Sequence, residues 1–128
     1  MFGKLRVKAG MTGVVVAAPP GYPAAPWDAA DGAADVVHLF VTTRGDVADR
    51  FPDAAARLRE GGLFWVSYDK TAGKQPDRVN RDSLWGLVLP LGWHPVAQVA
   101  LDDQWSAVRL VRNVPGVTYA APANVRGS

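Results

Sequence analysis

A chain of 128 residues, 48% hydrophobic and 20% charged, has the make-up of one ordinary globular domain, long enough to bury a single core. It contains no Cys, which excludes disulfides, thiolate catalysis and Cys-ligated metal, and its net charge of +2 is spread without any long run of like charges. A nucleic-acid role is therefore not expected, and because Met1 to Arg6 lacks the apolar stretch of a signal peptide and no run is long enough to span a bilayer, the expected address is cytoplasmic, with no membrane partner.

Taken in order, Phe2 to Lys8 reads as a lead-in helix or edge strand, and Lys8 to Gly13, with two close glycines, as a turn. Val14-Val15-Val16 makes Thr12 to Ala18 the first core strand, stopped by Pro19-Pro20-Gly21-Tyr22-Pro23. Nothing between Tyr22 and Ala34 reads as a strand. Val36 to Val41 is a second continuous apolar block, and the connection from Pro19 to Asp35 is near the minimum for a parallel crossover.

From Thr43 to Glu60 the period becomes helical: Val47, Phe51, Ala55 and Leu58 form one stripe, with Pro52 expected to kink or restart the helix and Gly61 to stop it. Leu63-Phe64-Trp65-Val66, entered through Gly61-Gly62, lacks polar alternation and reads as a central strand covered on both faces, which calls for helices on both sides of the sheet. Lys70 to Asp77 is a polar loop. Asn80 is the expected N-cap of a helix reaching Leu91, with Leu84, Leu87, Val88 and Leu91 on its buried side. Trp93 to Leu101 and Trp105 to Val111, separated by Asp102-Asp103-Gln104, require an antiparallel hairpin. Residues 113–128 carry breakers and little core, and are expected to be an extended or disordered tail behind a single domain of residues 1–112.

If the strands starting at Thr12, Val36 and Leu63 run parallel, their carboxyl ends emerge at one edge, where ligands sit in open α/β sheets. That places a candidate ligand site on Pro19, Gly21, Tyr22, Thr42, Arg44, Tyr68, Asp69, Lys70 and Lys74, with Arg44, Lys70 and Lys74 supplying positive charge for an anion. The two histidines, His38 and His94, are too far apart in sequence to suggest a metal site; His38 in an apolar strand reads as a hydrogen-bonded core residue, and His94 has no identifiable partner. Ser67, followed by Tyr68-Asp69, lacks a nucleophile elbow, so no catalytic residue is assigned.

Leu58 to Val66 and Leu91-Gly92-Trp93 resemble the entries to the fifth strand and the terminal hairpin of class I S-adenosylmethionine-dependent methyltransferases. More closely, Ala18 to Tyr22, Asp35 to Val41, Trp65 to Lys70 and Asp103 to Val111 resemble a small bacterial family known only as a domain of unknown function, over Lys4 to Arg112. The resemblance implies a truncated, Rossmann-like three-layer α/β sandwich, its mostly parallel sheet ending in an antiparallel C-terminal hairpin. It also implies an S-adenosylmethionine site, but the turn after the first strand holds one Gly and two prolines, and no acidic strand end follows. The expectation is accordingly a non-enzymatic domain, monomer or homodimer, without cofactor, that binds a small anionic ligand or a protein partner. The alternatives are a methyltransferase with a degenerate cofactor site and a weak nucleic-acid binder.

Overall fold

The computed structural model describes residues 5–8, 10–22, 28–29, 31–71 and 77–117. Its strands are β1 (Thr12–Val16), β2 (Asp28–Ala29), β3 (Ala34–Val41), β4 (Leu58–Asp69), β5 (Trp93–Ala100) and β6 (Trp105–Arg112), with helices α1 (Arg44–Ala56) and α2 (Arg81–Val88). They form one mixed sheet in the order β2-β1-β3-β4-β6-β5. The first four are parallel, whereas β6 runs antiparallel to β4 and β5 antiparallel to β6. The expected hairpin is present, and its second strand, not its first, lies against β4. The expectation of a strand-free stretch between Tyr22 and Ala34 is corrected: Asp28 and Ala29 pair in parallel with Thr12 and Gly13, too few residues to leave a periodic signal.

Alternation along the strands sends side chains to two different cores. Val37, Leu39 and Val41 of β3, Phe64 and Val66 of β4 and Val108 and Leu110 of β6 meet Val47, Phe51 and Ala54 of α1 and Leu84 and Val88 of α2. Both described helices thus pack on the same face, which corrects the expectation of a three-layer sandwich. On the opposite face, Val36, Trp65 and Ala107 are covered by the N-terminal segment, whose Leu5 is fully buried and is joined by Val7 and Met11. The Trp65 indole N–H donates to the Leu5 carbonyl at 2.9 Å. An irregular segment can seal a sheet face when its few carbonyls find such donors. Leu5 is in 3-10 helical conformation and Arg6 to Lys8 are in neither helix nor strand; the start of the lead-in helix or edge strand expected from Phe2 lies outside the described residues.

Helix α1 begins in a capping box: Asp46 N–H donates to Thr43 Oγ1, and Thr43 N–H to the Asp46 carboxylate. It continues as one helix through Pro52 and ends at Ala56 with Arg57 in right-handed conformation, so neither the restart nor the Gly61 stop occurs. Leu58 consequently belongs to β4. Gly61 is left-handed, with φ of 78°, but inside β4, where the pairing with β3 shifts between Ala34 and Val36. Gly62 is packed so closely there that a Cβ would lie 2.8 Å from the Asp35 carbonyl oxygen. The two glycines therefore serve a bulge that draws β4 against β3. Asn80 caps α2 as expected, its Oδ1 accepting from Ser83 N–H at 2.8 Å. A 3-10 turn, Leu89–Leu91, follows, closed by left-handed Gly92; Leu91 is 46% exposed and off the expected buried stripe. Asn113 N–H donates to the Gly92 carbonyl, fastening the start of the expected tail; residues 118–128 lie outside the described ones. None of the described helices is long and apolar enough to cross a membrane.

Candidate functional site

The carboxyl ends of β1, β3 and β4 emerge at one edge, because all three are parallel. β6 starts at that same edge, since it is antiparallel to β4 and pairs Trp105 with Asp69. Between them lies a cleft of about 400 Å³. One wall is the loop Ala17 to Pro20, the floor is Phe40, and Trp105 stands edge-on to Phe40 with ring centroids 5.0 Å apart. The polar lining is Thr42, Asp46, Arg50, Asp69 and Gln104.

Each of these polar groups is held by its neighbours. Asp69 accepts from Thr71 N–H at 2.8 Å and from Gln104 Nε2 at 3.0 Å, and the Lys70 N–H donates to the Gln104 carbonyl, which ties the β5–β6 turn to the end of β4. Burial pushes the Asp69 carboxyl up, but the hydrogen bonds from Thr71 and Gln104 and the charge of Arg78 outweigh it and hold the group below the usual range. Asp46 is likewise raised by burial and lowered further by the amides of Thr43 and Thr42 and by Arg50. Its Oδ2 occupies those two amides, so the α1 N-terminus already has its anion. Arg50 spans Asp46 Oδ1 at 3.4 Å and the Phe40 carbonyl at 3.2 Å.

Of the residues assigned from sequence, Pro19, Thr42 and Asp69 line this cleft. Tyr68, Asp69 and Lys70 line a second one of about 350 Å³, with Val79, Asn80, Arg81, Asp82 and Gln98. Asp69 is shared, so it stands between the two. Gly21 is left-handed and exposed, and Arg44 donates its backbone N–H to the Asp77 carbonyl; neither lines a cleft among those described. Lys74 lies outside the described residues. The charges lining the first cleft are thus Asp46, Arg50 and Asp69, and Lys70 brings its charge to the second.

Sequence reasoning missed Phe40, Asp46, Arg50, Gln104 and Trp105. An antiparallel last hairpin does put its turn at the carboxyl edge, and that signal could have found Gln104 and Trp105.

Tyr22 turns under the loop onto the helix-free face. Its ring meets Phe40 edge-on at 5.3 Å and its hydroxyl lies 3.1 Å from His38 Nδ1. His38 Nε2 is 2.6 Å from Ser67 Oγ, and both His38 and Ser67 are fully buried. Burial lowers the His38 pKa to about 3 and raises that of Tyr22. In a neutral imidazole one nitrogen donates and the other accepts, and a hydroxyl can answer either, so the chain Tyr22–His38–Ser67 is satisfied without charge. Ser67 has no exposure to a substrate. His94, expected to lack a partner, has Nδ1 2.8 Å from Asn113 Oδ1. No group of three His, Cys, Asp or Glu residues suited to a metal occurs among the described residues.

No family model matches the chain, and no curated protein matches it. Among solved structures the chain is similar to a ribosomal protein L11 methylase from Lactobacillus delbrueckii subsp. bulgaricus, at 14% identity and a TM-score of 0.47, over 69% of this chain and 46% of that one, and so spans less than half of that protein's length.

Proposed function

We propose that the protein is a non-enzymatic, Rossmann-like α/β domain, spanning residues 1–112, that holds a small anionic ligand in the cleft at the carboxyl ends of β1, β3 and β4. The observation that carries this reading is the combination of a concave space, an aromatic wall and a few fixed polar groups at the place where the parallel strands diverge. Phe40, Trp105, Pro19 and Pro20 favour a flat apolar body. Arg50, the described cation of the lining, is held by Asp46 and the Phe40 carbonyl and would share its remaining N–H donors with the anionic group, while Asp69 and the Gln104 side-chain oxygen accept from ligand donors. Lys70 lies close enough in sequence to Asp69 to reinforce the field at this edge.

The described residues do not fit S-adenosylmethionine. Pro19 and Pro20 bring no backbone N–H to the turn after β1, and Asp28, exposed, pairs with Thr12 at the amino end of β1, away from where ribose hydroxyls would lie. Methyl transfer is therefore not part of the reading.

The test is a ¹H–¹⁵N NMR titration with benzoate and indole-3-acetate. Shift changes centred on the Trp105 indole and the Gln104 side-chain amide, lost in Arg50→Gln and weakened in the Lys70→Ala, Lys74→Ala double variant, are expected. Dispersed or absent changes would sink the reading, and the cleft would then be left to a protein partner.

A further inference from the structure

Helix α2 packs against β5, the last strand of the sheet, and two concavities open between them, one of about 410 Å³ and one of about 350 Å³. Arg81 of α2 and Gln98 of β5 line both, so the two spaces meet at that pair. The strand register puts their lining on one face of the sheet. Val108 pairs with Val66 on one side and with Gln98 on the other, and Gln98 Nε2 donates to the Tyr68 hydroxyl at 2.9 Å. Val66, Tyr68 and Val108 all belong to the core beneath the helices, so Gln98 stands on the side that α2 covers.

The two spaces differ in chemistry. The larger is walled by Trp85, Pro95, Val96 and Val108, with Val96, 48% exposed, on its open side. The smaller is lined by two charges of each sign, Lys70 and Arg81 against Asp69 and Asp82. Their bonding is incomplete. Asp69 Oδ2 accepts from Gln104 Nε2 alone, Asp82 meets Arg81 Nε through Oδ1 at 3.3 Å, and among the described residues neither the Lys70 ammonium nor Asp82 Oδ2 has an ion-pair partner. Tyr68, 5% exposed, accepts from Gln98 and keeps its own hydroxyl proton to donate.

A purely anionic ligand here would face two carboxylates, and a purely cationic one would face an ammonium and a guanidinium. A ligand with both charges on one carbon answers all four groups, and a side chain on that carbon has the apolar space beside it. We propose that the groove between α2 and β5 binds a free α-amino acid with an apolar side chain, its carboxylate met by Lys70 and Arg81, its ammonium by Asp69 and Asp82, and its side chain lying against Trp85. This site does not rest on the anion reading of the carboxyl-edge cleft, whose lining it shares at Asp69.

The experiment is a ¹H–¹⁵N NMR titration of the full chain with L-phenylalanine, with glycine, which lacks the side chain, and with 3-phenylpropanoate and phenethylamine, which each lack one charge. Saturable shifts of the Trp85 indole N–H and the Gln98 side-chain amide are expected with L-phenylalanine, and binding about tenfold or more weaker with each of the other three. Arg81→Gln should weaken L-phenylalanine binding by a similar factor, and Arg81→Lys should recover part of the loss. Val96→Asp, at an exposed position, should weaken it as well and keeps the test valid if the Arg81 variants disturb α2. Benzoate-induced changes at Trp105 report on the other cleft, so either reading can fail alone. No saturable shift at Trp85 and Gln98, equal binding of any of the other three probes, or undiminished binding by Arg81→Gln or by Val96→Asp would overturn the proposal.

Discussion

His38 makes the stability of this protein depend on acid in a way that can be worked out beforehand. Its folded pKa lies near 3, whereas an unfolded chain returns the imidazole to about 6.5. On acidification the unfolded state takes up the proton first. The stability His38 allows is thus complete above about pH 6.5, falls as the pH drops below it, and is fully lost only near pH 3. Each pH unit in that window removes about 1.4 kcal/mol, so the loss from this one residue at pH 4.5 is about 3 kcal/mol, a large part of a small domain's total. Urea unfolding of the parent and of His38→Gln at pH 7 and pH 4.5 measures it. The variant will be less stable at pH 7, since it disturbs a fully buried position, but it cannot titrate. Its own loss between the two pH values should be smaller than the parent's by about 3 kcal/mol. Asp35, Asp46 and Asp69, whose folded pKa values are lowered, lose their contributions as the pH falls toward and below the usual carboxylate range. That loss is shared by both proteins and cancels in the difference. Equal losses in the two proteins would refute the reasoning and show that His38 is protonated, or reached by water, in the folded state.

Three further outcomes are expected from denaturant unfolding. Trp65→Ala should cost about 3–5 kcal/mol, because a wholly buried indole is removed from under Leu5, and Trp65→Phe about 1–2 kcal/mol, mainly for the stranded Leu5 carbonyl; a neutral Trp65→Phe would mean that water reaches that carbonyl. Gly62→Ala should cost about 1–3 kcal/mol, since its new methyl meets the backbone oxygen of Asp35, and an unchanged midpoint would show that β4 can move away from β3 there.

Much of the architecture was legible because the β3 and β4 cores are apolar runs, interrupted in β3 only by His38, and because Asn80 is a natural N-cap ahead of a helical pattern. The arrangement of the layers was not. A strand buried on both faces has the same sequence whether its cover is a long helix or the segment that carries Leu5, Val7 and Met11, so Trp65 alone could not say what lay on it. Gly61 was ambiguous for a related reason: a left-handed glycine ends helices and also turns bulges, and local sequence does not choose between them. At the candidate site, Pro19, Thr42 and Asp69 followed from strand direction alone. Gln104 and Trp105 depended on which hairpin strand abuts β4, a long-range pairing with no local signature.

The bond between Trp65 and the Leu5 carbonyl joins residues 60 apart in the chain. During synthesis Leu5 leaves the ribosome well before the central strand and has nothing to cover until that strand follows, and the aromatic side of the sheet stays open in the interval. In the finished protein the same ordering runs in reverse. Among the described residues Leu5 to Lys8 and Met11 take part in no strand pairing, so the Trp65 indole proton should exchange with deuterium through a partial opening, well before the amides of β3 and β4 that require the whole sheet to come apart.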